Sequence, residues 1–242
     1  MTTHPYLHHG LSLLTAQLKP STRPSPGVAE TAPQPFLTLS RETCAGATSL
    51  GQNLLLLLDD NLGDQDHSWM FLEKDLINCA LSMHQLPERL AEYLPEDRLS
   101  EVKGLIGEMV GLHPPIWELE HRVAEAIHRL AQLGCVILAG RAAHLITRNL
   151  PGGLHVRLVA PFASRVDRAQ HFRQCNRAEA EAFIRESDGA RQRYVQTNFA
   201  TDINDPHTYD LVINTDRISS ASAAHLVLRA LQERIASFAP AG

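Results

Sequence analysis

The residues with the clearest potential for chemistry are two hydroxyl side chains, Thr48 and Ser49, which follow a turn of small residues around Gly46. An apolar run at 36–39 precedes the turn and predicts a short buried strand, and residues 48 to about 59 predict a helix. In open parallel sheets, ligands bind beyond the carboxyl ends of the strands, where a helix N-terminus offers N–H groups and a favourable dipole to a phosphate. We therefore predict a phosphate site at this turn, with Thr48 or Ser49 either capping the helix or binding Mg²⁺.

The same turn departs from the phosphate-binding pattern G-x-x-x-x-G-K-[ST]. Gly46 keeps the second glycine, whereas Arg41 and Ala47 stand where the first glycine and the lysine belong. Taken alone, these residues are interpreted more simply as an ordinary strand-to-helix turn with a hydroxyl cap. Cys44 precedes the predicted helix N-terminus, a position that lowers a thiol pKa, so we interpret it first as a loop residue and second as a redox-sensitive thiol.

Two further groups of charged residues could handle anions. Gly140 and Arg141 come directly after an apolar run at 135–139, which places the Arg141 guanidinium at the same sheet edge, where it suits bidentate recognition of phosphate. The alternative interpretation is that Arg141 forms a surface salt bridge. Arg185, Asp188 and Arg191 follow at i, i+3 and i+6 on a predicted helix and share roughly one face. Such a row either clamps phosphates or forms a solvated face of ion pairs.

Apolar runs alternate with helical patterns along most of the chain. Strands are predicted at 36–39, 135–139, 154–160 and 209–213, and helices at 48–59, 73–94, 97–111, from about 116 to 133, 163–174, 177–197 and 221–238. Helices of this length between strands indicate βαβ crossovers and a parallel sheet. The proline-rich segment 1–35 lacks sustained periodicity and is predicted to be a flexible N-terminal arm, which leaves residues 36–242 as one domain.

Composition limits the classes of partner. A formal net charge of -5 gives the chain no overall attraction for nucleic acid or an anionic membrane, and no apolar run approaches the ~20 residues that span a bilayer. The N-terminus lacks the basic region of a signal peptide, and the widely spaced cysteines favour reduced thiols. We expect a cytoplasmic protein that binds neither nucleic acid nor membrane. The histidines show no ligand spacing that identifies a metal site, so the metal-binding residues stay unknown.

Several segments resemble, in order, the motifs of one family. They cover residues 37–50, 71–77, 136–143, 156–168, 188–194 and 209–215. The first is similar to the family's I-T-I-S-R-E-Y-G-S-G-G-R-E-I, the second to F-Y-D-K-E-L-I, the fifth to its D-x-x-R-x-x-Y helix and the last to Y-D-L-x-I-N-T. From about Phe36 to Arg234, the chain thus resembles the cytidylate kinase-like family, a P-loop group related to nucleoside monophosphate kinases.

The resemblance implies an α/β fold of three layers, with a parallel P-loop kinase-like sheet, a helical insert that binds the acceptor and a short lid. It also implies ATP and Mg²⁺ as cofactors. The cofactor-binding residues that it implies are Ser40, Arg41, Gly46, Ala47, Thr48 and Ser49. The catalytic residues that it implies, which would organise the acceptor and the charge of the transferred group, are Arg141, Arg185, Asp188 and Arg191.

The function implied by the resemblance is nucleotide-dependent phosphoryl transfer to a small acceptor, a nucleoside monophosphate such as CMP. One alternative is a catalytically impaired nucleotide- or phosphate-binding regulatory protein, because Cys44, Ala45 and Ala47 replace residues of the family's glycine-rich loop. A second is a kinase for a non-nucleotide acceptor, because the predicted acceptor helices carry no pattern specific for CMP. The sequence leaves open whether the chain forms a homo-oligomer.

Overall fold

The computed structural model describes residues 33–62, 68–73, 76–84 and 116–238. Its strands are β1 (Phe36–Arg41), β2 (Met70–Leu72), β3 (Val136–Ala139), β4 (Gly153–Val159) and β5 (Leu211–Asn214). Its helices are α1 (Ala47–Leu62), α2 (Leu76–Met83), α3 (Ile116–Leu133), α4 (Ala143–Ile146), α5 (Phe162–Arg173), α6 (Arg177–Phe199) and α7 (Ser220–Ala236). The predicted arm up to residue 32 and most of the helices predicted at 73–94 and 97–111 lie outside the described residues.

The described strands form one parallel sheet in the order β2-β3-β1-β4-β5, which confirms the α/β arrangement predicted from the sequence. β1 lies in the centre, and its first five residues are buried, as expected for a strand covered on both faces. At least one helix separates each pair of consecutive strands, because parallel neighbours require a crossover. The carboxyl ends of the strands therefore meet at one edge of the sheet, where ligands bind in folds of this kind.

Helices cover both faces of the sheet and complete the three predicted layers. On one face, α1 and α7 bury aliphatic side chains that include Leu54, Leu58, Val227 and Leu231. On the other face, α2 and α3 pack against β2 and β3 through a cluster that includes Leu72, Leu76, Ile127 and Leu130. Each such side chain stabilises the fold by about 1.5–3 kcal/mol relative to an exposed one. These layers hold the carboxyl edge of the sheet in place.

The helices α5 and α6, residues 162–199, form a hairpin that we call the lid. They pack on each other through small and aliphatic residues, namely Val166, Ala169, Ala180 and Ile184. A capping box starts α6: Asn176 Oδ1 accepts a hydrogen bond from Glu179 N, and Asn176 N donates to Glu179 Oε2, each at 3.0 Å. The cap defines where α6 begins after the turn.

One boundary near the predicted phosphate site needs correction. β1 runs to Arg41 rather than ending at residue 39, because it pairs with β4 as far as the Arg41–Leu158 partners. Ser40 and Arg41, which the sequence placed after the strand, therefore belong to it. The other described elements with a predicted range lie close to it, whereas β2 and the single-turn α4 had no predicted range. None of the described helices is long and apolar enough to cross a bilayer.

Candidate functional site

The turn between β1 and α1, residues 42–46, which we call the phosphate loop, contains two residues with left-handed backbone angles. Cys44 has a φ of 62° and Gly46 a φ of 90°. A β-carbon on Gly46 would meet no atom within 4 Å, so its backbone angle, and not close packing, requires the glycine. The Gly46 carbonyl accepts a hydrogen bond from Leu50 N at 3.0 Å. The loop thus leads into α1, whose first-turn N–H groups have no helical acceptors.

The N-terminus of α1 faces the end of β2. Thr48 and Ser49 are exposed, whereas Ala47 is buried at the position of the absent lysine. Thr48 Oγ1 donates a hydrogen bond to Glu73 Oε2 at 2.8 Å, and Arg41 Nη2 lies 4.0 Å from Glu73 Oε1. A hydroxyl and a carboxylate this close are hard oxygen donors of the type that Mg²⁺ prefers. Ala47 itself can offer only its backbone to a ligand.

Asp188 of the lid connects α6 with the phosphate loop. Its Oδ1 accepts hydrogen bonds from Thr43 N at 2.8 Å and Thr43 Oγ1 at 2.7 Å. Arg191 Nη2 lies 2.5 Å from the same oxygen and also donates to the Thr43 hydroxyl. Arg165 Nη1, from α5, donates to Asp188 Oδ2 at 2.6 Å. One carboxylate therefore joins both lid helices to the loop.

These contacts control the ionisation of Asp188. Burial alone would raise the pKa of its carboxyl. Hydrogen bonds from Thr43 and Arg165, together with the charge of Arg191, outweigh burial and hold that pKa below its usual range. The carboxylate is therefore ionised at neutral pH and balances the arginines around it.

Two more lid contacts fix the backbone of the loop. Arg165 Nη1 donates to the Thr43 carbonyl and Arg168 Nη1 to the Cys44 carbonyl, each at 3.3 Å. Thr215, just after β5, donates through Oγ1 to the Ala45 carbonyl at 2.8 Å. Three successive carbonyl groups of the loop thus accept hydrogen bonds from outside it. This anchoring explains how the loop keeps its path with fewer glycines than the family pattern contains.

A second polar cluster lies one strand away. Ser40 in β1 is the pairing partner of Arg157 in β4. Arg157 Nη1 donates to Ser40 Oγ at 2.9 Å, and Arg157 Nη2 donates to Asn204 Oδ1 at 2.8 Å. The Tyr209 hydroxyl donates to the Ile203 carbonyl at 2.9 Å and lies 3.1 Å from Ser40 Oγ. The Ser40 hydroxyl, predicted to bind the donor nucleotide, is thus engaged in a chain that ends at a buried arginine.

Arg141 and Arg185, two of the predicted catalytic residues, lie apart from the Asp188 cluster in the described contacts. Arg141 is buried, with a φ of 54°, so it is not the surface residue that the simpler interpretation expected. It is near Glu120 of α3, whose carboxyl pKa is raised by burial despite the opposing charge of Arg141. Arg185 is exposed and stacks over the Phe162 ring, with its Cζ 4.5 Å from the ring centroid. The predicted row on α6 therefore separates into Asp188 with Arg191 and an outlying Arg185.

The interpretation of Cys44 as a redox-sensitive thiol needs correction. Burial raises the pKa of the Cys44 thiol, and it prevails over the lowering by Arg165 and other nearby arginines. Reactivity requires the thiolate. Cys44 is therefore a loop residue, as its first interpretation held.

Sequence reasoning missed Arg157 as a site residue. Its burial depends on Ser40, Asn204 and Tyr209, which are distant in the sequence. The signal that could have identified Arg157 is its place in the middle of a mostly apolar strand. An arginine at such a position is seldom fully buried without a partner.

The chain is similar to one protein family and to several solved structures. The model described as the cytidylate kinase-like family matches residues 36–217. An uncharacterized protein from Eubacterium ventriosum aligns with a TM-score of 0.59 at 14% identity, covering 82% of this chain and 99% of that chain. Shikimate kinase from Bacteroides thetaiotaomicron aligns with a TM-score of 0.47 at 14% identity, covering 82% of this chain and 98% of that one.

Shikimate kinase from Acinetobacter baumannii, solved in complex with shikimate, aligns with a TM-score of 0.45 at 16% identity, covering 83% of this chain and 94% of that chain. No curated protein sequence matches this chain significantly. At these identities, the similarity to the Eubacterium ventriosum protein concerns the fold.

Proposed function

Because the chain belongs to the cytidylate kinase-like family, we propose that it transfers the γ-phosphoryl group of ATP to a small acceptor, with CMP as the nucleoside monophosphate to test first. In this reaction an acceptor oxygen forms a bond to the γ-phosphorus, and the bond from that phosphorus to the β-phosphate oxygen breaks. The products are ADP and the phosphorylated acceptor. Such a transfer needs little covalent help from the protein, so positioning and charge neutralisation carry the catalysis.

The observation that best supports this proposal is the convergence of lid arginines on the phosphate loop. Arg165, Arg168 and Arg191 all hydrogen-bond to residues 43–44 of the loop. They bring positive charge close to the place where a P-loop protein carries its lysine. Fixed charges aimed at the oxygens of a transferring phosphoryl group stabilise the transition state. The lid therefore supplies what the loop lacks.

Donor and acceptor are bound by different elements in this proposal. The donor phosphates lie at the N-terminus of α1, where first-turn N–H groups and the hydroxyls of Thr48 and Ser49 are available. Gly46 and Ala47 leave room for them, and Ser40 and Arg41 complete the donor side from the end of β1. The acceptor lies on the lid side, where Asp188 and Arg191 are its nearest proposed contacts. Arg141 and Arg185 are also assigned to the acceptor by the family resemblance, and Arg185 would have to leave the Phe162 ring to reach it.

Thr48 and Glu73 are the residues that would hold Mg²⁺, since their oxygens are hard donors 2.8 Å apart. When bound, the ion neutralises charge on the donor phosphates. Glu73 also keeps a negative charge near Arg41, whose Nη2 lies 4.0 Å from Glu73 Oε1. An isosteric Glu73→Gln change is expected to weaken the dependence of ATP binding on Mg²⁺ without altering the fold.

The test is consumption of ATP with Mg²⁺ and a panel of nucleoside monophosphates, followed as ADP release. Replacing Arg191 by Ala is expected to lower kcat/KM by about 10²–10³-fold, the usual cost of removing one donor that stabilises transition-state charge. Arg229→Ala is the matched control, because Arg229 is an exposed arginine of α7 with a side chain 74% exposed. Equal turnover in wild type and Arg191→Ala would contradict the assignment of the lid arginines.

A second function is favoured by one observation, the burial of Ala47 where a lysine is expected. A protein that keeps the loop and the lid but lacks this cation could bind a nucleotide or phosphate for regulation without transferring it. ATP binding measured by calorimetry separates the two functions. Binding without ADP release for any acceptor of the panel supports the regulatory function, whereas acceptor-dependent release supports the kinase.

A further inference from the structure

The guanidinium of Arg157 is buried and forms no ion pair with a described carboxylate. Arg157 is 4% exposed. Its guanidinium donates to Ser40, Asn204 and, at 3.5 Å, the Tyr209 hydroxyl, and all of these acceptors are neutral. Within the described part of the chain, no carboxylate oxygen forms an ion pair with it. A buried charge without a counter-ion is costly, so an anion from outside the chain is its natural partner.

Neutral groups position this guanidinium without neutralising it. The Tyr209 hydroxyl donates its proton to the Ile203 carbonyl, so its oxygen accepts from Ser40 Oγ. The Ser40 hydroxyl then presents its own lone pair to Arg157 Nη1 at 2.9 Å. Hydrogen bonds aligned in one direction strengthen one another. Arg157 is therefore held in a fixed place beside a cavity.

A cavity of about 160 Å³ lies beside Arg157, between the ends of β1 and β4 and the lid. Arg41 and Arg191 also line it. Its two acidic lining residues, Glu42 and Asp188, both already face Arg165, at 3.4 and 2.6 Å. The space exceeds the roughly 10–15 Å³ of this measure that a single water molecule needs. The cavity has room for one oxyanion together with water.

We propose that this cavity, which we call the Arg157 pocket, binds a small oxyanion, phosphate or carboxylate, with the Arg157 guanidinium as its principal counter-ion. The planar guanidinium is suited to such an anion, since its N–H groups match two oxygens at once. The pocket shares Glu42 with the phosphate loop, and none of its described lining residues belongs to α1. The anion is either free phosphate or the anionic group of the acceptor. The second source rests on the proposed function, and the first does not.

The first experiment measures binding of inorganic phosphate to the full chain by calorimetry and by thermal unfolding, in HEPES buffer without phosphate or nucleotide. Wild type is expected to bind phosphate and to gain Tm. Arg157→Gln is expected to lose about tenfold or more in affinity, because hydrogen bonds to a charged group are the strong ones. The exposed Arg229→Gln variant should behave as wild type. Absence of phosphate binding by wild type, or unchanged binding by Arg157→Gln, overturns the proposal.

A second variant keeps the test decisive if Arg157→Gln does not fold. Gln192 is an exposed residue of α6 that lines the pocket, so Gln192→Glu adds a carboxylate that can compete with the bound anion. This variant is expected to lose phosphate binding and to unfold at a higher Tm than wild type in phosphate-free buffer. Gln196→Glu, exposed one turn further along the same helix, makes the same charge change outside the pocket. Equal phosphate affinity in both variants overturns the proposal.

Competition with CMP identifies the source of the anion. Displacement of phosphate by CMP, together with a raised KM for CMP in Gln192→Glu, assigns the pocket to the acceptor. Simultaneous binding of CMP and phosphate assigns it to a free anion. Phosphate binding is measured without ATP, so absence of turnover contradicts the proposed kinase activity alone and leaves the pocket standing.

Discussion

The lid and the Arg157 pocket both place buried arginines at the carboxyl edge of the sheet, but the two regions balance that charge differently. In the lid, Arg165 and Arg191 both contact the carboxylate of Asp188, at 2.6 and 2.5 Å. In the pocket, the described hydrogen bonds of Arg157 go to neutral oxygens only, and its Cζ lies 5.6 Å from the centroid of the Tyr209 ring. Arg165 and Arg191 are therefore paired with a carboxylate of the protein, whereas Arg157 is positioned without such a pair.

The difference predicts that the stability of the ligand-free protein depends more on the Asp188 cluster than on Arg157. Removing one member of a buried ion pair leaves the other uncompensated, which is costly, whereas an apolar residue of similar volume can replace an uncompensated charge at little cost. The Asp188 cluster should therefore determine the stability of the loop and lid. Arg157 should matter mainly when an anion is present. Each of the following substitutions tests one side of this contrast.

The largest effect is expected for Asp188→Ala. This change removes the acceptor of both Thr43 donors and leaves Arg165 and Arg191 without their shared carboxylate. We expect the free energy of unfolding to fall by about 3–4 kcal/mol, towards the lower end of the cost of breaking a buried pair. The lower end applies because the Asp188 side chain is 30% exposed. Unfolding in urea, monitored by circular dichroism, measures the change.

Asp167→Ala is the matched control for that experiment. Asp167 is an exposed carboxylate of α5, so its removal should change the free energy of unfolding by less than about 0.5 kcal/mol. A loss in Asp188→Ala no larger than in this control would show that the Asp188 cluster does not hold the lid to the loop.

The next effect is a difference between two arginines of similar burial. Arg165 is 6% and Arg157 4% exposed, and each is replaced by Met, an apolar residue of similar length. We expect Arg165→Met to lose about 3 kcal/mol, because Glu42 loses its ion pair and Asp188 keeps only Arg191, and Arg157→Met to lose about 1 kcal/mol or less. Chemical denaturation in phosphate-free buffer measures both variants. Equal losses would mean that Arg157 has a counter-ion within the chain after all.

A smaller effect is expected in the pH dependence of stability. The folded-state pKa of Asp188 lies below its ordinary value of 3.8, so the stabilisation from its carboxylate is complete above that pH and is lost as the pH falls through the folded-state pKa. The free energy of unfolding lost in Asp188→Asn should thus be largest near neutral pH and shrink as the pH falls below about 4. Urea titrations at several pH values measure it. The loss in Arg157→Gln should not change in this way, and a parallel change in both variants would remove the contrast between the regions.

The sheet and the lid were predictable from the sequence because their signals are local. The apolar run at 135–139 indicated β3, and the helical patterns at 163–174 and 177–197 indicated α5 and α6. The extension of β1 to Arg41 was not predictable, because Ser40 and Arg41 are polar and join the strand only by pairing with β4. Pairing between segments far apart in the chain leaves no local pattern.

The distinction between local patterns and contacts between distant segments also holds for the candidate site. Gly46, Thr48 and the Asp188–Arg191 pair belong to short motifs, so sequence comparison could single them out, although their roles in catalysis stay predictions. The arrangement around Arg157 could not be derived, because it depends on which side chains of β1 and β4 share a sheet face. It also depends on the loop that carries Asn204.

The smallest effect is expected at Cys44, whose backbone has a left-handed angle. Its φ of 62° costs a residue with a β-carbon about 1 kcal/mol, whereas glycine at the same place loses a similar amount in unfolded-chain entropy. Cys44→Gly should therefore stay within about 0.5 kcal/mol of wild type, provided that the contacts of Arg165 and Arg168 hold the loop. Cys44→Ala keeps the β-carbon and isolates the loss of the thiol. A large gain of stability in Cys44→Gly alone, measured in urea, would show that the loop is strained by its own sequence and not held by the lid.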